Sequence, residues 1–525
     1  MPSHPFPAII PAPSSLKPLP GRHSLLPSTR IIAAPKLLHV ARQLQSALQA
    51  ATGWAFELDT NTSVEQASQD PLLPSAICLA VNDQAAGPEA YRLVVGGTAI
   101  RIQASHPAGA FYAMQTLLQL LPPVVHQSVP RQDVDWSPAC VEIEDAPRFR
   151  WRGAMLDSSR HFQPVAFIKK LIDLLALHKL NVFHWHLTDD QGWRIEIRKY
   201  PRLAEIGSRR SQSCRGHLDA NAGGDGVAHE GFYTQTDIRE IVAYAEERFV
   251  TIVPEIEMPG HAQAAIAAYP ELGCTGKALE VSTTWGVHEN IFNPNESTLR
   301  FLQDVLDEVI ELFPGDFIHV GGDEATKTQW ETSPTVQARI QELGLADETA
   351  LQSYFISRMA DHLARRGRRL IGWDEILEGG LARGAAVMSW RGIGGGIAAA
   401  NAGHDVVMTP TQSTYFDTYQ SLEIFGEPLA IGGHLPLDAA YGYDPIPAEV
   451  SPDNVAHILG IQGQLWTEYM PTPGHVEYMA FPRLSALAEV AWSKPEHRDF
   501  GSFKNRLAVL LQRLNIIGVR YRPPN

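Results

Sequence analysis

The chain has 525 residues, 44% of them hydrophobic and 19% charged, with a formal net charge of -15. Those proportions belong to a folded globular protein rather than a disordered or fibrous one, and the length is generous for one domain, so two are expected. The acidic balance excludes a protein that grips nucleic acid, which needs a basic face to replace phosphate counterions.

The N-terminal text "MPSHPFPAIIPAPSSLKPLPGRH" lacks a basic start followed by an apolar run, and its prolines would break a signal helix. No secretory signal is therefore expected, nor a membrane span, since no apolar stretch is long enough. The cysteines Cys78, Cys140, Cys214 and Cys274 are scattered without C-x-x-C spacing. They read as free thiols rather than a disulfide framework or a zinc site. A cytoplasmic location is the expectation, with a periplasmic or secreted one if a leader has been removed.

Residues 1–146 form the first expected domain, a small α+β unit. "AYRLVVGGTAIRI" alternates apolar and polar residues on both sides of Gly96-Gly97, the pattern of a β-hairpin with one buried face. "HPAGAFYAMQTLLQLL" then reads as a helix stopped by Pro122-Pro123. No cluster of acids, histidines or glycines here suggests chemistry.

Residues 147–525 carry a different rhythm. Short β-rich runs, "WRGAML", "LNVFHW", "FVTIVPE", "FIHVGG", "RRLIGW", "AAVMSW", "DVVMT" and "ILGIQGQLW", alternate with amphipathic helices. In two of these, Ile238, Ile241, Val242, Ala245 and Leu302, Val305, Leu306, Val309 recur at helical spacing. Eight candidate strands separated by helices predict an α/β fold, a (β/α)8 TIM barrel. An open doubly wound sheet would need a G-x-G-x-x-G turn after a strand, and none is present. Nearly every predicted strand ends in polar or aromatic residues: Asp157 and Arg160; His184, His186 and Asp189; Glu255 and Glu257; Asp323 and Glu324; Trp373 and Asp374; Trp390; Tyr415 and Asp417; Trp466 and Glu468. In such barrels the site is assembled at the strand C-termini, so eight sets converge on one mouth. Each alone would pass as a capping acid or a rim aromatic; the shared position argues for a site.

These linear texts resemble glycoside hydrolase family 20, the β-N-acetylhexosaminidases. The residues that carry the resemblance are "LDSSRHF", "LNVFHWHLTDDQGWR", "PEIEMPGH", "HVGGDE", "GWDE", "YFD" and "LWTE", in the family's order and spacing. "AYRL" and "PAGAFYAMQTLLQLL" are similar to the small domain that precedes the family's barrel. The resemblance implies an exo-acting, retaining hydrolase of terminal β-linked GlcNAc, with GalNAc expected as well, and neither metal nor organic cofactor. It also implies a mechanism in which the substrate's 2-acetamido oxygen attacks the anomeric carbon and forms an oxazolinium ion, an exception to the usual pair of flanking carboxylates.

By the same resemblance Glu324 is the general acid/base and Asp323 orients the acetamide N–H and balances the developing charge. Tyr415 matches the tyrosine that bonds the acetamide oxygen. Trp373, Trp390 and Trp466 match an aromatic box around the sugar and its acetyl methyl. Arg160, Asp417 and Glu468 match groups that hold ring hydroxyls. His261 matches a histidine that acts with an aspartate on the general acid; Asp189 is assigned as that partner, with Asp190 the alternative because successive side chains alternate direction. Glu257 departs from the family, which usually has Asp in this motif, and that leaves its support of His261 open.

Two other readings compete. A metal-dependent hydrolase would use His184 and His186, which face the same way on a strand, with His261 and an aspartate. A glycan-binding barrel without catalysis would keep the aromatic pocket but has no need of intact Asp323, Glu324 and Tyr415. The glycan chain recognised beyond the terminal sugar depends on loops and is not specified, and neither is the oligomeric state.

Overall fold

The computed structural model describes residues 7–62, 75–217 and 223–524. Their contacts divide the chain into two compact units: residues up to Arg150 with 176–179 and 484–525, and residues 151–175 with 180–483.

The first unit is built on a seven-stranded sheet in the order Ser15–Arg22, Ala139–Asp145, Tyr91–Val95, Ala99–Ala104, Ala76–Val81, Arg30–Ala33, Leu58–Asp59. The expected hairpin is there, with Tyr91–Val95 antiparallel to Ala99–Ala104, and the expected helix runs Pro107–Leu120 with His106 as its N-cap. Asp145 is a buried polar hub in this unit. It accepts from Lys179 Nζ at 3.0 Å, Tyr91 OH at 2.7 Å and Trp492 Nε1 at 2.9 Å, so an otherwise costly buried cation is paired.

The second unit is a closed barrel of eight parallel strands: Trp151–Asp157, Val182–His186, Thr251–Glu255, Phe317–His319, Arg369–Trp373, Ala386–Ser389, Val406–Met408 and Ile458–Leu465. Each strand coincides with one of the eight predicted runs, Trp151–Asp157 and Val182–His186 extending one residue beyond theirs, and the (β/α)8 TIM barrel is the fold. Parallel neighbours need crossovers, and amphipathic helices supply most of them. Gln235–Glu246 buries Ile238, Ile241, Val242 and Ala245; Glu296–Leu312 buries Leu302, Val305, Leu306 and Val309. The exception is the link from Trp373 to Ala386, which holds only the 3-10 turn Asp374–Leu377.

Side chains alternate along a strand, so the inward set fills the barrel in layers. Trp151, Val182, Val253, Ile371, Met388 and Val407 pack as one apolar cluster. Above them the inward residues turn polar, and His184 meets Gln462 at 2.9 Å. No helix among the described residues is long and apolar enough to cross a membrane, and the four cysteines are free, two buried and two partly exposed.

Candidate active site

The top inward layer is organised by Glu255. Fully buried, it meets His186 Nδ1 at 2.5 Å, His184 Nε2 at 3.1 Å, His319 Nδ1 at 2.8 Å and the indole N–H of Trp373 at 2.8 Å. Burial alone would raise its pKa, but the charge of the surrounding histidines, His319 foremost, holds it well below the usual carboxylate range. His186 shows the reciprocal effect: burial opposes its charge, yet Glu255 pushes it up to about 10.

His261 stands between two pairs of acids. Its Nδ1 lies 3.1 Å from Asp190 Oδ2 and 3.2 Å from Asp189 Oδ1, and its Nε2 is 3.5 Å from both Asp323 Oδ2 and Glu324 Oε2. Burial is outweighed by these carboxylates, Asp189 first, so its pKa is raised well above the ordinary imidazole value. The choice between Asp189 and Asp190 has no single answer here. Both touch the ring, Asp190 with the hydrogen-bond geometry, while Asp189 also receives His186 Nε2 at 2.9 Å and Arg160 Nη2 at 2.8 Å.

Asp323 and Glu324 follow a tight turn. The chain leaves Phe317–His319 through Gly321 and Gly322, both at positive φ (65° and 95°), and Glu324 itself sits at φ 47°. A left-handed glutamate is strained, as is His261 at φ 49°, and such strain gathers at functional sites. The turn separates the neighbours: the Asp323 side chain is 11% exposed and that of Glu324 38%. One acid lies down in the pocket and the other stands at its edge.

The pocket is a cavity of about 520 Å³ whose lining includes Arg160, His261, Asp323, Glu324, Trp373, Trp390, Tyr415, Asp417, Trp466 and Glu468. Of the eleven residues to which the resemblance gives a catalytic or sugar-binding role, Asp189 is the one outside this lining, holding Arg160 and His261. The aromatics form an enclosure: Trp390 stacks on Tyr415 at 6.2 Å and 24°, and Trp466 lies 5.8 Å from Trp373 and 6.5 Å from Tyr415. Arg160 is fixed by Asp189, by Asp157 at 3.3 Å and by Glu468 at 3.7 Å, with its guanidinium 5.1 Å over Trp466. Burial, reinforced by Glu468, pushes Asp417 up to about 8; burial likewise raises Glu468. Asp323 Oδ1, Asp417 Oδ1 and Glu468 Oε2 are buried without a hydrogen-bond partner. Buried acceptors left open in a cavity are costly unless a ligand brings the donors.

His184 and His186 do face inward together, as the metal-hydrolase reading requires. Three of the His/Asp/Glu groups whose ligand atoms lie within 4.8 Å of one another are His184–Glu255–His319, His186–Glu255–Glu257 and Asp189–Asp190–His261. Both nitrogens of His186, Nδ1 of His261 and Nδ1 of His184 are already hydrogen-bonded, to Glu255, Asp189, Asp190 and Gln462, while His184 Nε2 and His319 Nε2 have no hydrogen-bond partner. Glu257 does not support His261 by a hydrogen bond: both of its carboxyl oxygens are buried without partners. Several pocket residues escaped the sequence reading. His217, Trp285, Val287 and Tyr469 line the outer part, on loops that carry no periodic signal. Glu375, inside the "GWDE" text, receives the Trp390 indole N–H at 2.9 Å.

Comparison with known proteins shows the family. The model of the glycosyl hydrolase family 20 catalytic domain matches residues 149–495, and that of the family's domain 2 matches residues 6–146. This chain belongs to glycoside hydrolase family 20. Within the family it is 44% identical over 502 residues to a β-hexosaminidase of Porphyromonas gingivalis, covering 95% of this chain and 62% of that protein. A Vibrio furnissii β-hexosaminidase is 40% identical over 404 residues, 76% of this chain and 64% of its own length. The chain thus spans less than two thirds of either relative. A solved family 20 structure, the exo β-N-acetylglucosaminidase of Vibrio harveyi in complex with N-acetylglucosamine, superposes with a TM-score of 0.85 at 34% identity, covering 99% of this chain and 78% of that one.

Proposed function

We propose that the protein is an exo-acting, retaining β-N-acetylhexosaminidase that releases terminal β-linked GlcNAc, and GalNAc as well, with the substrate's own acetamide as nucleophile. The observation that carries this reading is the pair Asp323–Glu324: adjacent carboxyls from one strand end, the first down in an aromatic slot and the second at its edge. Two such groups are badly placed to straddle a sugar as acid and nucleophile. They suit an arrangement in which the nucleophile arrives with the substrate.

In the first step Glu324 protonates the glycosidic oxygen as the C1–O bond breaks and the acetamide oxygen closes on C1. Asp323 accepts the acetamide N–H and balances the positive charge of the oxazolinium, and Tyr415 donates to the acetamide oxygen from the facing wall. In the second step Glu324 takes a proton from water, which opens the ring and restores the β configuration. The walls of Trp373, Trp390 and Trp466 hold the arm close to attack geometry, which lowers the entropic part of the barrier. The unpartnered oxygens of Asp417 and Glu468, beside Arg160, offer acceptors for the hydroxyls of a terminal sugar. A floor of that kind favours chain ends. The GlcNAc complex of the Vibrio harveyi relative supports the same substrate class.

Proton NMR of the first product formed tests the proposal together with two variants. The expected result is the β-anomer, no turnover of natural glycans by Glu324→Gln, and a loss of roughly 10²–10³-fold in kcat/KM for Asp323→Asn. The α-anomer as first product, or near-normal rates for Asp323→Asn, would contradict it.

A further inference from the structure

We propose that Glu375 is a positioning residue that sets the discrimination between N-acyl groups, by pinning the Trp390 indole as one wall of the acetamide slot; this rests on the function proposed above. Glu375 lies on the 3-10 turn that replaces a helix after Arg369–Trp373, and it is 8% exposed. Its Oε2 accepts the Trp390 Nε1–H at 2.9 Å. The nearest guanidinium pairs with it only at long range. Arg391 Nε stands 3.8 Å from Glu375 Oε1 and is engaged instead by Asp374 at 2.6 Å, while Arg391 Nη1 reaches Glu378 at 2.8 Å.

The burial of this acid is therefore poorly compensated. Desolvation, and then the charge of Asp323, push it up to about 8, with the Trp390 hydrogen bond acting the other way. A buried carboxyl whose nearest ion pair is as long as 3.8 Å is a cost to the fold, so its place is explained by what it holds. What it holds needs holding. Trp373 is anchored in the apolar core and tied to Glu255, whereas Trp390 is only partly buried, at the end of Ala386–Ser389, with its face on Tyr415. An indole on a pocket wall turns about its side-chain torsions unless its N–H is fixed. The hydrogen bond converts a movable ring into a stop, and a stop next to the acetyl methyl decides whether a longer acyl group fits.

The test compares kcat/KM for aryl N-acetyl- and N-propanoyl-β-D-glucosaminides. The wild-type protein should prefer the acetyl substrate by about tenfold or more, the usual worth of a methylene that a pocket rejects. Glu375→Gln keeps an acceptor for the indole and cannot ionise beside Asp323, and should keep the preference. Glu375→Ala, and Glu375→Met, which fills the same volume without an acceptor, should lose most of it, with the N-acetyl KM rising and the near-UV dichroism of the tryptophans altered. A folded Glu375→Met or Glu375→Ala protein with the wild-type preference, or a Glu375→Gln protein without it, would overturn the inference. A wild-type protein indifferent to the acyl group would instead sink the acetamide slot itself, whatever Glu375 does.

Discussion

Glu257 carries a carboxyl group that receives no hydrogen bond, with His186 Nδ1 3.9 Å from its Oε1. It is fully buried, both oxygens lack a hydrogen-bond partner, and burial together with the charges of Asp323 and Glu255 raises its pKa well above the ordinary glutamate value. Such a group binds its proton more tightly in the folded than in the unfolded chain, so folding loses stability as pH rises from roughly 4.5 toward the folded-state pKa. Glu257→Gln keeps the shape and removes the ionisation. Its melting temperature relative to wild type should climb between pH 5 and pH 8; a difference that stays flat or falls over that range would show that Glu257 is ionised in place. The residue was visible in the sequence as a departure from the family, but its consequence was not. A motif names a side chain, whereas the fate of one extra methylene depends on what lies opposite. Here that is Gly321. The pairing of His261 was obscure for a related reason, since alternation of side chains assumes regular strand, and Asp190 follows the two-residue strand Thr188–Asp189.

At the scale of the element, the turn His319–Glu324 does the most with the fewest atoms. Gly321 lies at φ 65°, and a Cβ there would sit 1.7 Å from Glu257 Oε2. Gly321→Ala therefore meets two penalties: a left-handed backbone, about 1–2 kcal/mol for a residue with a Cβ, and eviction of the Glu257 carboxyl. Chemical unfolding should show a loss at least that large. Adding Glu257→Asp, which withdraws the carboxyl by one methylene, should recover part of it, so the double variant loses less than the two single losses summed. Additive losses would mean that the contact does not matter. The barrel strands were legible because each is a short apolar run ending abruptly in polar residues, and the helices because their apolar stripes are regular. The N-terminal sheet was mostly illegible. Ser15–Arg22 contains Pro18 and Pro20 and shows no alternation, since as an edge strand it need not donate along its free side.

At the scale of the molecule, the barrel gathers residues as far apart as Arg160 and Glu468 into one cavity. That convergence was foreseeable from strand order alone, because the C-terminal ends of parallel strands share a face. What strand order does not carry is the outer wall. Trp285, Val287 and Tyr469 reach the pocket from loops, where neither period nor capping marks a residue in advance. Inside that wall, the proposed chemistry makes the amide oxygen of the substrate the nucleophile. Its most direct test is the rate of hydrolysis of aryl N-acetyl, N-fluoroacetyl, N-difluoroacetyl and N-trifluoroacetyl β-glucosaminides. Each fluorine withdraws electrons from the attacking oxygen, so kcat/KM should fall steadily along the series. A flat series, with the trifluoroacetyl substrate cleaved as fast as the acetyl one, would contradict the account.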